Sequence, residues 1–156
     1  MRPPISLSVA LAAAWLAAGC STPKTGSQRL ASIIVENRSP AQIEASLVQI
    51  YESHAYRLKR KADKLIFEKP GTAMNSLIYG DWYSGGVWER IEVFQRELEP
   101  GRTLVDCDAY MVQEVDDPFF QKVHQVYKTR RGHCQKLLEA VSQDLAKQPA
   151  TAPENR

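Results

Sequence analysis

The chain has 156 residues, of which 44% are hydrophobic and 24% are charged. This length and composition fit one globular domain with a sizeable core, and they exclude two large domains. The formal net charge is only +2, so the total charge gives no bias toward nucleic acid or another polyanion.

The first 19 residues have the pattern of a secretory signal peptide. Arg2 provides a short positive start, and residues 5–18 form an uncharged, mostly apolar run that ends in small residues. A membrane-spanning helix needs about 20 apolar residues, and this shorter run is followed at once by a polar segment. We therefore expect residues 1–19 to be removed and not kept as a membrane span.

Residues 16–20, LAAGC, place a cysteine directly after this run. The stretch resembles the lipobox of bacterial lipoproteins, although Leu16 is one position further from Cys20 than in the commonest version, with Ala17 in its usual place. The resemblance implies that Cys20 carries palmitate and other acyl chains, which together give stable anchoring in the lipid bilayer. Because Ser21 and not an aspartate follows, it also implies the outer membrane of a bacterial envelope, facing the periplasm. The alternative is cleavage at another bond, which leaves a free thiol.

Composition divides the rest of the chain into three parts. Residues 20–29 are mostly small and polar, and they predict a lipidated N-terminus with a flexible stalk. Residues 30–147 are predicted to form a single globular domain. Residues 148–156 contain two prolines and no apolar residue larger than alanine, which predicts a disordered tail.

The first half of the domain predicts a strand, a helix and three more strands. Residues 30–36 are short and β-branched, and residues 39–42 have a capping-box pattern that begins a helix ending near His54. The runs YRLKRK and KLIFEK predict two strands around a tight turn at residues 62–63. Residues 75–83, NSLIYGDWY, predict a further strand.

A hairpin and a helix are predicted to complete the domain. Alternating apolar positions in residues 87–98 and 103–112 predict two antiparallel strands joined by a Pro-Gly turn. A two-residue loop would mismatch their apolar faces, so the pattern predicts a longer loop or a β-bulge beside the turn. One long helix is predicted from Asp117 to about Lys147, because Pro118 suits a first turn and apolar residues then recur every three or four positions.

These elements predict an α+β fold. An antiparallel sheet of about five or six strands packs against one N-terminal helix and a long C-terminal helix. This order of elements is similar to that of helix-grip domains, which occur in outer-membrane lipoproteins, including a component of the β-barrel assembly machinery. The resemblance covers residues 31–147 and rests on element order. A ferredoxin-like sandwich is the alternative fold.

Two of the three cysteines lie within the predicted domain. Cys107 is expected on the inward face of a strand, and Cys134 on the apolar stripe of the helix that covers the sheet. Because the envelope is oxidising, the two can form a disulfide, worth about 3 kcal/mol on the chain-entropy model. The alternative is a pair of buried free thiols.

The sequence predicts no catalytic residue, no metal site and no cofactor. On one long helix His124 and His133 would lie on opposite faces, and His133 would not point where Cys134 points, so neither a shared metal ion nor a Cys-His nucleophile is expected. Asp106 and Asp108 are expected on the outward face of their strand. There they could share a proton or a cation, or pair across the strands with Arg90, Arg96 and Tyr110 of the same hairpin.

The glycine-rich stretch YGDWYSGGVW, residues 79–88, is the predicted binding surface. It gathers four aromatic residues around three glycines: Tyr79, Trp82, Tyr83 and Trp88. Such rings combine apolar area with polar tips, as surfaces that bind proteins or sugars do. The alternative is that the rings close the open end of the sheet.

Together these features predict a membrane-anchored envelope lipoprotein. We expect it to act as a binding or assembly module for a protein partner or an apolar ligand, and not as an enzyme. No nucleic-acid partner is expected. The alternatives are an envelope enzyme acting on a cell-wall polymer and a purely structural lipoprotein.

Overall fold

The computed structural model describes residues 29–79, 86–113, 119, 121–126 and 130–149. The predicted leader, Cys20 and most of the predicted tail lie outside these ranges. The elements in chain order are β1 (Ala31–Glu36), α1 (Pro40–Ser53), β2 (Arg57–Lys61), β3 (Lys64–Pro70), α2 (Ala73–Tyr79), β4 (Val87–Glu99), β5 (Arg102–Gln113), β6 (Lys122–Gln125) and α3 (Arg131–Lys147).

The described strands form one antiparallel sheet, which confirms the predicted α+β fold. Five strands follow the order β1-β5-β4-β3-β2, and β6 also pairs with β5. β1 pairs with the first half of β5, whereas β6 pairs with its last four residues. β1 and β6 therefore lie one after the other along the same side of β5.

Helix α1 begins where the sequence predicts. The Ser39 hydroxyl accepts a hydrogen bond from the Gln42 backbone N–H at 3.2 Å, and the Gln42 side chain accepts one from the Ser39 backbone N–H at 3.0 Å. Pro40 occupies the first turn, where its missing N–H costs nothing. The predicted capping box is confirmed.

The hairpin of β4 and β5 contains the predicted bulge. The pairing register shifts between Glu97 and Glu99, close to the turn, where Gly101 has a φ of +77°. A residue with a side chain would be strained in that left-handed conformation. The shift places Val93 opposite Cys107, so the apolar faces of the two strands match.

Both long helices pack on one face of the sheet, which we call the inner face. The core there contains Ile43 and Leu47 from α1, Leu138 and Val141 from α3, and inward side chains of the strands. Buried Ser46 links the helices, because its hydroxyl donates to Asp144 Oδ2 at 2.7 Å. The inner face is thus covered by two helices joined to each other.

The prediction of a strand over residues 75–83 is wrong for its described part, since residues 73–79 form α2. The Thr72 hydroxyl accepts from the Asn75 backbone N–H at 3.3 Å and so caps the helix. The Gly71 backbone N–H donates to the Val87 carbonyl at 2.7 Å, which leaves no room for a side chain at position 71. A short apolar run does not by itself distinguish a strand from a helix.

The prediction of one helix from Asp117 to Lys147 is right only for its second half. Helix α3 begins at Arg131, and Lys122–Gln125 form β6. The free side of the last residues of β5 offers unpaired backbone groups, and pairing there satisfies them. Tertiary pairing thus overrides the helical spacing of the apolar residues.

Candidate functional site

The predicted aromatic surface is divided by the sheet. Tyr79 ends α2 and packs against Val87 on the inner face. Trp88 follows Val87 in β4, and successive strand residues point to opposite faces, so the Trp88 side chain lies on the other side. Trp82 and Tyr83 lie outside the described residues. The described half of the stretch is therefore not one cluster of rings.

Helix α2 has its polarity reversed. Met74, Leu77 and Ile78 are 62%, 75% and 63% exposed, whereas the polar side chain of Asn75 is only 6% exposed. A surface helix normally turns its apolar face to the core. Helix α2 instead presents apolar side chains to solvent directly before the predicted binding stretch.

A cluster of polar side chains lies at the end of the inner face where α3 begins. We call it the Glu89 cluster, and it consists of Tyr56, Lys69, Asn75, Glu89, Arg130 and His133. Lys69 of β3 and Glu89 of β4 are cross-strand neighbours on the inner face. Arg130 directly precedes α3, and Asn75 belongs to α2. The cluster therefore joins two strands and two helices at one point.

The Glu89 carboxylate is the centre of this cluster, and its side chain is only 4% exposed. The Tyr56 hydroxyl donates to Oε1 at 3.0 Å, and Arg130 Nη1 donates to Oε2 at 3.2 Å. Lys69 Nζ lies 4.0 Å from Oε2, and His133 Nε2 lies 4.0 Å from Oε1. A buried charge is tolerated only with partners of this kind.

Tyr56 and His133 also contact each other, at 3.2 Å between the hydroxyl and Nε2. The phenol has one proton, and donating it to Glu89 leaves the phenol oxygen to accept from the imidazole Nε2–H. Burial and the Glu89 carboxylate raise the pKa of Tyr56, so it remains a donor. Burial lowers the pKa of His133, helped by Lys69, Arg130 and His54 and opposed by Glu89, so the imidazole is neutral at pH 7.

Sequence reasoning missed Glu89, although a signal was present. The apolar alternation of β4 runs through Val87, Ile91 and Val93, and Glu89 occupies the same face. A carboxylate on a buried strand face must find partners. An acid within an apolar alternation was therefore the available sign of the cluster.

Cys107 and Cys134 meet in the core, between β5 and α3, as predicted. Both are fully buried, and in this structure they are free thiols, so the expected disulfide is not formed here. The two thiols share a hydrogen bond, which together with burial raises the pKa of Cys107. They act as small apolar residues that connect helix and sheet.

Asp106 and Asp108 lie on the outer face, and both contact Arg29, which precedes β1. The Arg29 guanidinium contacts Asp106 at 3.1 Å and Asp108 at 2.7 Å, and it lies 3.4 Å from the centre of the Phe94 ring. Arg90 of the hairpin instead pairs with Glu68 at 2.6 Å. The two carboxylates thus hold Arg29, the first described residue, in place of the expected pairing within the hairpin. We call these contacts the Arg29 clamp.

One groove on the surface contains none of the candidate residues in its lining. It has a volume of about 690 Å³ and lies along the solvent side of α1, beside Arg60. No group of three or more His, Cys, Asp or Glu side chains within the described ranges could hold a metal ion. None of the helices in that part of the chain is long and apolar enough to cross a bilayer.

No protein-family model matches the chain, and no curated protein matches it either. What the chain does is therefore inferred from its own residues.

Proposed function

We propose that the protein is a membrane-anchored envelope lipoprotein that acts as a binding or assembly module for a protein partner. Its contact surface is the outward side of α2, formed by Met74, Leu77 and Ile78. The observation that carries this proposal is the reversed polarity of α2, with these three side chains 62–75% exposed and Asn75 buried.

Exposed apolar side chains grouped on one short helix favour a contact surface. Fully burying one such side chain is worth about 1.5–3 kcal/mol, and a group of them in solvent marks interaction sites in soluble domains. The helix is also held in place, because Asn75 Oδ1 accepts from Arg130 Nη2 at 3.0 Å and Thr72 caps the first turn. A rigid surface loses little conformational entropy when a partner binds.

The anchor in this proposal is Cys20, and the Arg29 clamp limits how far the domain can lie from it. The clamp fixes the first described residue to β5 through Asp106 and Asp108. The eight residues between Cys20 and Arg29 span on the order of 30 Å when fully extended. An acyl group at Cys20 would therefore keep the domain close to the bilayer surface.

The Glu89 cluster gives the enzyme alternative no support. Tyr56 and Arg130 occupy the two carboxylate oxygens of Glu89, and the Tyr56 proton is already donated. A general acid or base must reach a proton of the substrate. These groups satisfy one another, so the enzyme alternative gains no support from them.

The test is site-specific photo-crosslinking in the producing cell. A photo-reactive residue in place of Leu77 is expected to give a discrete crosslinked protein, whereas the same residue in place of Gln143, on the exposed side of α3, is expected to give none. In the Ile78→Gln variant the crosslink from position 77 should weaken. Equal crosslinking from positions 77 and 143 would contradict the contact surface. Mass spectrometry of the N-terminal peptide tests the anchor separately, because an unmodified Cys20 would rule out acylation.

A further inference from the structure

Strand β2 forms one edge of the sheet, and among the described strands it pairs only with β3. The Lys61–Lys64 pair closes the turn of this hairpin, so Lys61 and every second residue before it direct their backbone groups to β3. Leu58 and Arg60 therefore direct their backbone N–H and C=O groups away from the sheet. An edge of this kind is a template for an added strand.

Three cations stand in a row on the outer side of this edge. Leu58 packs against the core on the inner face, so the odd-numbered residues of β2 point to the outer face. These are Arg57, Lys59 and Lys61, all exposed and about 7 Å apart along the strand. Lys59 contacts Glu68 at 2.7 Å, whereas Arg57 and Lys61 have no ion pair within the described part of the chain. The positive charge of the row is therefore only partly compensated.

A groove lies along the inner side of the same edge. It has a volume of about 690 Å³, and Arg60 of β2 lines it together with the exposed side of α1. The α1 residues are small, apolar, amide or acidic: Ala41, Glu44, Ala45, Val48, Gln49 and Glu52. Glu44 also holds Arg60 at 2.9 Å. Small apolar side chains of an added strand fit this lining, whereas its two carboxylates repel acidic ones.

A second copy of this chain does not suit the edge. Pairing β2 with the β2 of another copy would bring two rows of cations side by side, and like charges on neighbouring strands destabilise a sheet. The same row attracts a strand that has acidic side chains on its outer side. The charge of the edge thus selects which strand can pair with it.

We propose that the edge of β2 and the groove beside α1 bind an extended acidic segment of a partner protein, which adds to the sheet as a further strand. In this segment acidic side chains alternate with small apolar ones. The acidic side chains lie beside Arg57, Lys59 and Lys61, and the apolar side chains enter the groove. Backbone pairing supplies affinity, and the alternation supplies specificity. The contact surface of α2 takes no part, so this site and the proposed function can fail separately.

The test is a titration of the full chain with a synthetic peptide in which glutamate and valine alternate, followed by amide hydrogen exchange. The peptide is expected to bind with a dissociation constant on the order of 0.1 mM. Near saturation it should slow exchange of the Leu58 and Arg60 amides about fivefold or more, because both gain acceptors. A peptide of the same composition with its glutamates in one block should bind about fivefold more weakly. Equal binding of the two peptides would reduce the site to general attraction and overturn the proposal.

Methylation of the peptide backbone tests strand addition directly. Only alternate residues of an added strand direct their N–H groups toward β2. Methylating the N–H groups of the valines or those of the glutamates should therefore abolish binding in one case and largely preserve it in the other. Equal loss in both peptides, or no loss in either, would contradict backbone pairing at this edge.

Two charge-reversed double variants provide the matched comparison. Arg57→Glu with Lys61→Glu removes cations of the row without breaking an ion pair, and it is expected to weaken peptide binding about tenfold or more. Arg131→Glu with Lys136→Glu makes the same change in net charge on the exposed side of α3, and it should change binding less than about twofold. Equal effects of the two variants would overturn the proposal.

Ala45→Arg separates the groove from simple charge attraction. Ala45 is exposed on α1, so the fold should tolerate the change. The added cation would strengthen general attraction to an acidic peptide, but its long side chain fills the groove that the valines enter. Peptide binding is therefore expected to weaken about fivefold. Unchanged or tighter binding would contradict the role of the groove.

A membrane surface is the competing explanation for the row of cations. Vesicles that contain phosphatidylglycerol, added to the full chain without acylation and without peptide, should leave hydrogen exchange at Leu58 and Arg60 unchanged. A lipid surface offers no strand to pair with these backbone groups. Slowed exchange at the two amides in the presence of vesicles would assign the row to a membrane and overturn the proposal.

Discussion

Tyr51 and Tyr56 provide a comparison in which the same substitution should have opposite effects. Their rings contact each other, with centroids 5.5 Å apart. The Tyr51 hydroxyl is buried beside the Cys107 thiol but has no partner in hydrogen-bond geometry, whereas the Tyr56 hydroxyl donates to Glu89 at 3.0 Å. Phenylalanine preserves the ring in both cases, so only the role of the hydroxyl differs.

The expected magnitudes follow from the two environments. An unpaired buried hydroxyl costs about 1–3 kcal/mol, so Tyr51→Phe should raise the free energy of unfolding by about 1 kcal/mol. A hydrogen bond to a charged group is worth about 1.5–3 kcal/mol, so Tyr56→Phe should lower it by about 2 kcal/mol. The Glu89 side chain is only 4% exposed, so water cannot readily replace the lost donor.

Urea denaturation at pH 7 measures both values. With a denaturant slope of about 1.5 kcal/mol/M, the two midpoints should differ by about 2 M, with the wild-type midpoint between them. The slopes should not change, because neither variant alters the surface exposed on unfolding. If Tyr51→Phe destabilises as much as Tyr56→Phe, the assignment of the two hydroxyls is refuted.

Three further predictions concern other parts of the structure. The pKa of Tyr56 is raised in the folded protein, so the stability that its protonated hydroxyl contributes is complete below the ordinary value of 10.0 and is lost as the pH rises. The free energy of unfolding should therefore fall less steeply at alkaline pH in Tyr56→Phe than in the wild type, by up to about 1.4 kcal/mol per pH unit. The disulfide between Cys107 and Cys134 remains a prediction for protein isolated from an oxidising envelope. Counting of reactive thiols in denaturant should then detect neither of these two cysteines until a reductant is added. Detection of both thiols without a reductant would exclude the disulfide. Arg29→Gln should lower the free energy of unfolding by about 2 kcal/mol, since two buried carboxylates lose their cation, and an unchanged urea midpoint would show that the clamp contributes nothing.

Local signals in the sequence predicted much of the fold. The capping box at Ser39 and the bulge near Glu97 involve residues close together in the chain, so the chemistry of a few neighbours decides them. The alternation of apolar residues in β4 and β5 then fixed their register, because a slip of one residue would have turned the core face outward. These features did not depend on contacts with distant elements.

The errors share a different cause, which is dependence on distant partners. Helix α2 turns Asn75 inward because the Asn75 side chain accepts a hydrogen bond from Arg130, which lies far along the chain. Strand β6 forms because β5 extends beyond β1 and leaves backbone groups to be paired. Glu89 is satisfied by residues from three other segments, among them Tyr56. The apolar alternation of β4 marked Glu89 as a carboxylate that needs partners, but no local pattern identifies which distant residues those partners are.

The position of the Arg29 clamp has a mechanical consequence. Tension applied to the chain before Arg29 reaches first the pair of ionic contacts on β5, and only then the hydrogen bonds of β1. β5 is bordered by β1 and β6 on one side and by β4 on the other, so the load enters the most extensively paired strand of the sheet. A pull from the N-terminal side must therefore break the clamp before it can peel β1 away.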